Sequence, residues 1–163
     1  MSLASILLDG TILSVLLYGG VFLMIAINPR SQLHNYPPMV KAGLPPKTAG
    51  ERKVLLAVGI PVFLLLIGYI LYMTSLRFGG DRADYVQALA HWILVFLFQS
   101  AVDLVICDYW IFCTITPKFI IIPGTEGNPG YKDKSVHTKT IPAMALISVV
   151  MGFVASIAYF LFK

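Results

Sequence analysis

The residues best suited to chemistry gather around one apolar segment and the loop after it. His91, Gln99 and Asp103 lie in a long apolar run, with Asp108 just beyond it. Glu126, Tyr131, Lys132, Asp133 and His137 follow in the next loop. Carboxylates and a histidine brought together supply general acid–base catalysis, because one group moves the proton and another orients it. Asp103, Asp108, Glu126 and His137 are therefore the candidate catalytic residues. Their chemistry depends on the loop folding back over the helix end. Without that fold, the same residues are a solvated loop and carboxylates that pair with Lys or Arg.

Other constellations are weaker. Cys107 and Cys113 are six residues apart, roughly 120° around an α-helix, and do not match Cys-x-x-Cys redox spacing. They read as small buried thiols. A metal centre from Cys107, Cys113, Asp108, Glu126 and His137 again needs the loop to fold back, so no metal is expected. His91 has no second histidine inside an apolar segment, which disfavours haem ligation and favours an interhelical hydrogen bond. Gly124-Thr-Glu-Gly127-Asn-Pro-Gly130 lacks the Gly-Lys-Ser/Thr of a phosphate-binding loop and reads as a chain of turns. The residues name no cofactor.

The elements that must position these groups follow from composition. The chain has 163 residues, 58% hydrophobic and only 12% charged. A soluble domain carries about 25% charged residues, and one of this size could not hide so much apolar surface. An integral membrane protein is expected, as a single all-α domain. Four segments approach the roughly 20 apolar residues that a span needs: about 11–27, 54–76, 86–106 and 141–162. Spanning segments must be helices, since lipid offers no partner to backbone polar groups. Unbroken apolar runs exclude a transmembrane barrel.

Loop charge predicts the orientation. The loop at 28–53 holds five basic residues and the loop at 107–140 holds four, so nine of twelve lie on one side. The positive-inside rule makes both long loops cytoplasmic and both termini external. No Lys or Arg precedes Arg30, so the N-terminal segment reads as a retained span and not a signal peptide. The net charge of +4 comes from loop residues, with no basic stripe among exposed aromatics, so no nucleic-acid partner is expected. The bilayer is the expected partner, in a cytoplasmic membrane of bacterial type.

Depth matters for the third span. Asp103 follows Tyr85 by 18 residues, roughly 27 Å of helix, which places it near the cytoplasmic edge of a core about 30 Å thick. It is the one charged residue expected within a span. At α-helical spacing Trp92, Gln99, Asp103, Ile106 and Trp110 share a narrow sector, so Gln99 and Asp103 form a polar stripe that should face other helices or a cavity.

Local signals mark the boundaries. Thr48-Ala-Gly-Glu51 is a capping box before the second span, and Asp81-Arg-Ala-Asp84 a weaker cap before the third. Thr140 and Pro142 suit a first helical turn, and Pro61 should bend the second span. The Pro-rich first loop should be extended, and Phe119–Ile122 should be a short strand or re-entrant piece. Ser148, Gly152 and Ser156 form a small-residue stripe for close helix packing, within the bundle or in a homo-oligomer. Gly19 and Gly20 offer it a partner surface.

At Asp103-Leu-Val-Ile-Cys-Asp108, Phe112-Cys-Thr-Ile-Thr-Pro-Lys-Phe119 and Ile122-Pro-Gly-Thr-Glu-Gly127, the chain resembles a family of small four-span bacterial membrane proteins of uncharacterised function. The Asn-Pro-Arg exit from the first span and the Pro45–Thr48 segment add to the likeness, which covers most of the chain. The resemblance implies the four-span topology and no mechanism. Four-helix membrane enzymes of glutathione or eicosanoid chemistry carry arginines within the bundle, and none is expected inside a span here. The paired cysteine motifs of quinone-linked thiol oxidases are also missing. Two readings follow. One is a self-associating accessory or transport-related component with a polar patch at the end of the third span. The other is a membrane-embedded enzyme with an acid/His site acting on a lipid or amphipathic substrate.

Overall fold

The computed structural model describes residues 2–80 and 84–162. Four helices are long and apolar enough to cross a membrane: Leu3–Ile27, Ala49–Phe78, Tyr85–Ile115 and Ile141–Leu161. In chain order the elements are α1 (Leu3–Ile27), a 3-10 turn at Pro29–Asn35, α2 (Pro38–Lys41), α3 (Ala49–Phe78) and α4 (Tyr85–Val102). A π-helix continues α4 over Asp103–Ile115. Short 3-10 turns lead to α5 (Lys134–Thr138), and α6 (Ile141–Ser156) runs into a final 3-10 turn. The fold is all-α, a four-helix bundle with no strand among the described residues. α1 packs between α3 and α4, and α4 packs along α6. Arg82 and Lys163, and the first residues of the Asp81–Asp84 capping pattern, lie outside the described residues. Asp84 itself caps α4 by accepting the Gln87 N–H at 2.8 Å.

The first helix corrects the expected span. It begins at Leu3, under a Ser2–Ser5 capping box, and so carries Asp9 two turns inside its apolar length. Asp9 is fully buried. Its carboxylate accepts two bonds from Arg77 (Nε 2.8 Å, Nη2 2.7 Å) and one from the Tyr69 hydroxyl at 2.9 Å. His91 Nε2 completes the set at 2.8 Å from Oδ2. Because the carboxylate only accepts, Nε2 carries the proton. Arg77 therefore belongs to the last turn of α3 and not to a loop, and Asp103 is not alone among charged residues within the spans. This network ties α1, α3 and α4 at the end of the bundle that carries the termini. Beside it the Trp92 indole donates to Thr74 Oγ1 at 3.0 Å, a second polar tie between α3 and α4.

Small residues set the remaining contacts. A Cβ on Gly152 would sit 2.6 Å from Ile93 Cα and 2.7 Å from Ile93 N, so α6 lies directly on the α4 backbone there. Ser148 Oγ meets Ser100 Oγ at 2.6 Å, and Ser156 Oγ donates to Tyr85 Oη at 3.1 Å. The Ser148–Gly152–Ser156 stripe is thus spent within the chain, on α4. Gly20 faces Val62 of α3, while Gly19 faces open space. Leu56, Ile60, Phe63, Leu64 and Leu65 leave α3 with a broad exposed apolar surface of the kind a bilayer covers.

The two long loops form a small core of their own. Ile120 and Ile122 are fully buried with Tyr36, Val40, Phe112 and Tyr131. Tyr36 donates to the Ile120 carbonyl at 2.7 Å, and Asn128 Nδ2 to the Met39 carbonyl at 3.1 Å. The expected strand at Phe119–Ile122 is instead a 3-10 turn at Lys118–Ile120. A strand needs a neighbour for its ladder, and here the isoleucines face Tyr36 and Tyr131. The first loop, expected to be extended, carries the Pro29–Asn35 turn and α2. Arg30 bridges it to α3, with Nε 2.6 Å from Glu51 Oε1, while Glu51 also closes the expected Thr48 capping box.

Two outcomes follow. Asp9→Ala leaves the buried His91 and the partly exposed Arg77 without their carboxylate, and breaking a buried pair costs up to about 3–5 kcal/mol. Thermal unfolding in detergent should show that loss. Gly152→Leu must push α6 off α4, costing about 1–3 kcal/mol or more, whereas Gly19→Leu should leave the melting temperature near that of the native chain.

Candidate functional site

The site begins where α4 changes its winding. Residues five apart on an α-helix lie roughly 140° apart. A π-helix bonds each residue to the fifth along, which brings such pairs close to the same face. From Asp103 to Ile115 the chain winds this way, and Thr116 ends it in the left-handed region (φ 49°) with its N–H on the Ile111 carbonyl. Asp103, Cys107, Asp108 and Phe112 consequently line one cavity. Ile106 and Trp110, assigned by α-helical spacing to the same stripe as Asp103, turn outward at 40% and 59% exposure. The stripe holds for Trp92 and Gln99, which are buried, and ends at Asp103.

The cavity has a volume of about 470 Å³ and lies at the loop end of the bundle. One wall is α1, through Tyr18, Val21, Phe22 and Ile25. The first loop supplies His34, Tyr36 and Lys41 at the rim, and the chain around α5 supplies Val136, His137 and Thr140. The third loop thus folds back over the helix end and closes the space.

His137 is the residue that the fold-back delivers. Its Nδ1 lies 2.9 Å from Asp108 Oδ2, and its side chain is only 9% exposed. Asp108 as acceptor keeps the proton on Nδ1 and leaves the lone pair on Nε2. Nε2 is buried and has no hydrogen-bond partner among the described residues. Phe112 packs edge-on against the ring at 5.5 Å between centroids. Asp103 is half-buried and forms no ion pair among the described residues. Among the described residues neither carboxylate takes a Lys or Arg as its partner.

No family model, curated protein or solved structure matches this chain. The site therefore stands on its geometry. Of the four candidate catalytic residues, Asp103, Asp108 and His137 share the cavity and Glu126 does not. Glu126 is exposed and accepts the Gly124 N–H at 3.1 Å, holding its own turn, where Gly124 and Gly127 both have positive φ. Cys107 and Cys113 are free buried thiols. No group of three or more His, Cys, Asp or Glu fit for a metal ion occurs among the described residues. Tyr18, Tyr36, Phe112, His34 and Lys41 went unrecognised in the sequence. Nothing in their local pattern marks them, because they reach the cavity from separate elements.

Lys41 lines the cavity with His34, and Lys47 lies against His34 from outside the lining. Lys47 Nζ donates to the Ser31 carbonyl at 2.6 Å and approaches His34 Nδ1 at 3.2 Å. An ammonium only donates, so His34 Nδ1 must present its lone pair. Partial burial at the rim, then Lys47 and Lys41, push the His34 pKa below its ordinary 6.5. The unfolded chain binds the proton more readily, so this residue's contribution to stability is complete above pH about 6.5 and is lost as pH falls below it. An NMR titration of His34 should place its midpoint below 6.5, and Lys47→Gln should move it upward.

Proposed function

We propose that this protein is a membrane-embedded enzyme whose loop-end cavity, on the cytoplasmic side, performs acid–base chemistry on an amphipathic molecule taken from the surrounding lipid. The observation that carries the reading is the Asp108–His137 pair: His137 lines the cavity, and its buried Nε2 has no hydrogen-bond partner among the described residues. Asp108 fixes the imidazole and its tautomer, so that Nε2 can take a proton from a bound substrate. The imidazolium formed is stabilised by Asp108 at 2.9 Å and can return the proton to the product. Packing against Phe112 holds the ring in place.

The cavity supports an amphipathic substrate. Its volume is within the range of small-molecule sites, and its walls divide into an apolar side from α1 and Met144 and a polar side from the π-helix and α5. Sidedness rests on the nine basic residues of the two long loops. The reading as a self-associating accessory component has less to draw on, since the stripe that motivated it already packs on α4.

The test is conversion of lipid. Purified protein incubated with a total membrane lipid extract, followed by mass spectrometry, should deplete one amphipathic species and accumulate its product. Asp108→Asn and His137→Gln should each lower the rate at least a hundredfold, within the range typical of general acid–base groups. Glu126→Gln should leave it unchanged. An unaltered lipid profile with the native chain, or full activity in His137→Gln, defeats the proposal.

A further inference from the structure

Charge is distributed unevenly over the cavity, and this narrows its ligand. Two carboxylates, Asp103 and Asp108, lie on the inner wall. Asp108 is engaged with His137, whereas Asp103 has no ion-pair partner among the described residues. Lys41 and His34 of the first loop line the cavity as well. Lys41 Nζ reaches the exposed His34 carbonyl at 3.3 Å, and His34 is kept neutral beside Lys47. Aromatic rings from three elements, Tyr18 of α1, Tyr36 of the first loop and Phe112 of the π-helix, line the same space. The Tyr36 and Phe112 rings hold each other edge-on, with centroids 5.5 Å apart.

An anionic headgroup at the inner wall would meet both carboxylates. A neutral one would leave Asp103 with no ion-pair partner among the described residues. A cation satisfies Asp103 and is also attracted to aromatic faces. We propose that the cavity takes an amphiphile whose headgroup is a protonated amine, bound as the counter-ion of Asp103 between the Tyr18, Tyr36 and Phe112 rings. The alkyl chain lies along Val21, Ile25 and Met144. This inference rests on the cavity being the substrate site. It adds that the proton offered to His137 Nε2 comes from, or from beside, an ammonium group. Loss of that proton would convert R-NH3+ and neutral imidazole into R-NH2 and imidazolium, with charge and atoms conserved.

The probe is decylamine, with decyl phosphate as its anionic counterpart. Each is titrated calorimetrically into the purified full chain in neutral detergent, against empty micelles. Decylamine should bind saturably at neutral pH. Asp103→Asn, nearly identical in shape, should weaken binding at least tenfold, and Asp103→Glu should retain most of it. Decyl phosphate should show no saturable binding. Equal affinity of Asp103→Asn and the native chain, or tighter binding of decyl phosphate, overturns the proposal. Matching circular dichroism and elution profiles separate lost binding from lost fold. Decylamine binding without lipid conversion defeats the acid–base reading and leaves the ligand class standing, whereas conversion that decylamine does not inhibit does the reverse.

Discussion

A carboxylate buried two turns inside an apolar helix has to be neutralised and hydrogen-bonded, or the helix cannot remain in place. Asp9 meets that requirement through Arg77, Tyr69 and His91, four bonds from two other helices. Because those donors approach from fixed positions on α3 and α4, they set the rotation of α1 about its axis. That rotation turns Gly20 toward Val62 and presents Tyr18, Val21, Phe22 and Ile25 to the cavity at the far end. A polar network at one end of the bundle therefore governs the wall of a site at the other.

The second constraint is the change of winding at Asp103. An α-helix continued past that residue would hold Asp108 and Phe112 well away from Asp103. The π-helix gathers them with Cys107 on one side and sends Ile106 and Trp110 outward. Such winding is uncommon beyond a single turn and is frequent at functional sites. Here it is bounded by Thr116 and buttressed by Lys132, whose Nζ donates to the Thr114 carbonyl at 2.8 Å. The loop core of Ile120, Ile122, Tyr36 and Tyr131 then anchors the chain that carries His137.

Some of this was legible in the chain. The Thr48–Glu51 capping box, the close-packing role of Gly152 and the long apolar helices all follow from local pattern, and all are present. Asp9 was not legible as a buried residue. A carboxylate six residues after a helix start reads as a boundary unless its partners are known, and those partners are 60 to 82 positions away. Glu126 is near the other acidic candidates in sequence, yet its carboxylate serves the turn that contains it. Tyr36, His34 and Lys41 reach the cavity from a loop whose path no periodicity describes, and Tyr18 reaches it through the rotation of α1.

The sequence by itself determined the number of long helices, their approximate limits and the uneven placement of basic charge. Those properties depend on stretches of chain short enough for local composition to decide them, and an apolar run of span length has few alternatives to helix. Only the tertiary structure decided which polar groups meet. Asp9 found Arg77 and His91, Asp108 found His137, and Asp103 lines a cavity with no ion-pair partner among the described residues. Each of those outcomes turns on helix rotation, winding and loop path, set by contacts between residues far apart in the chain.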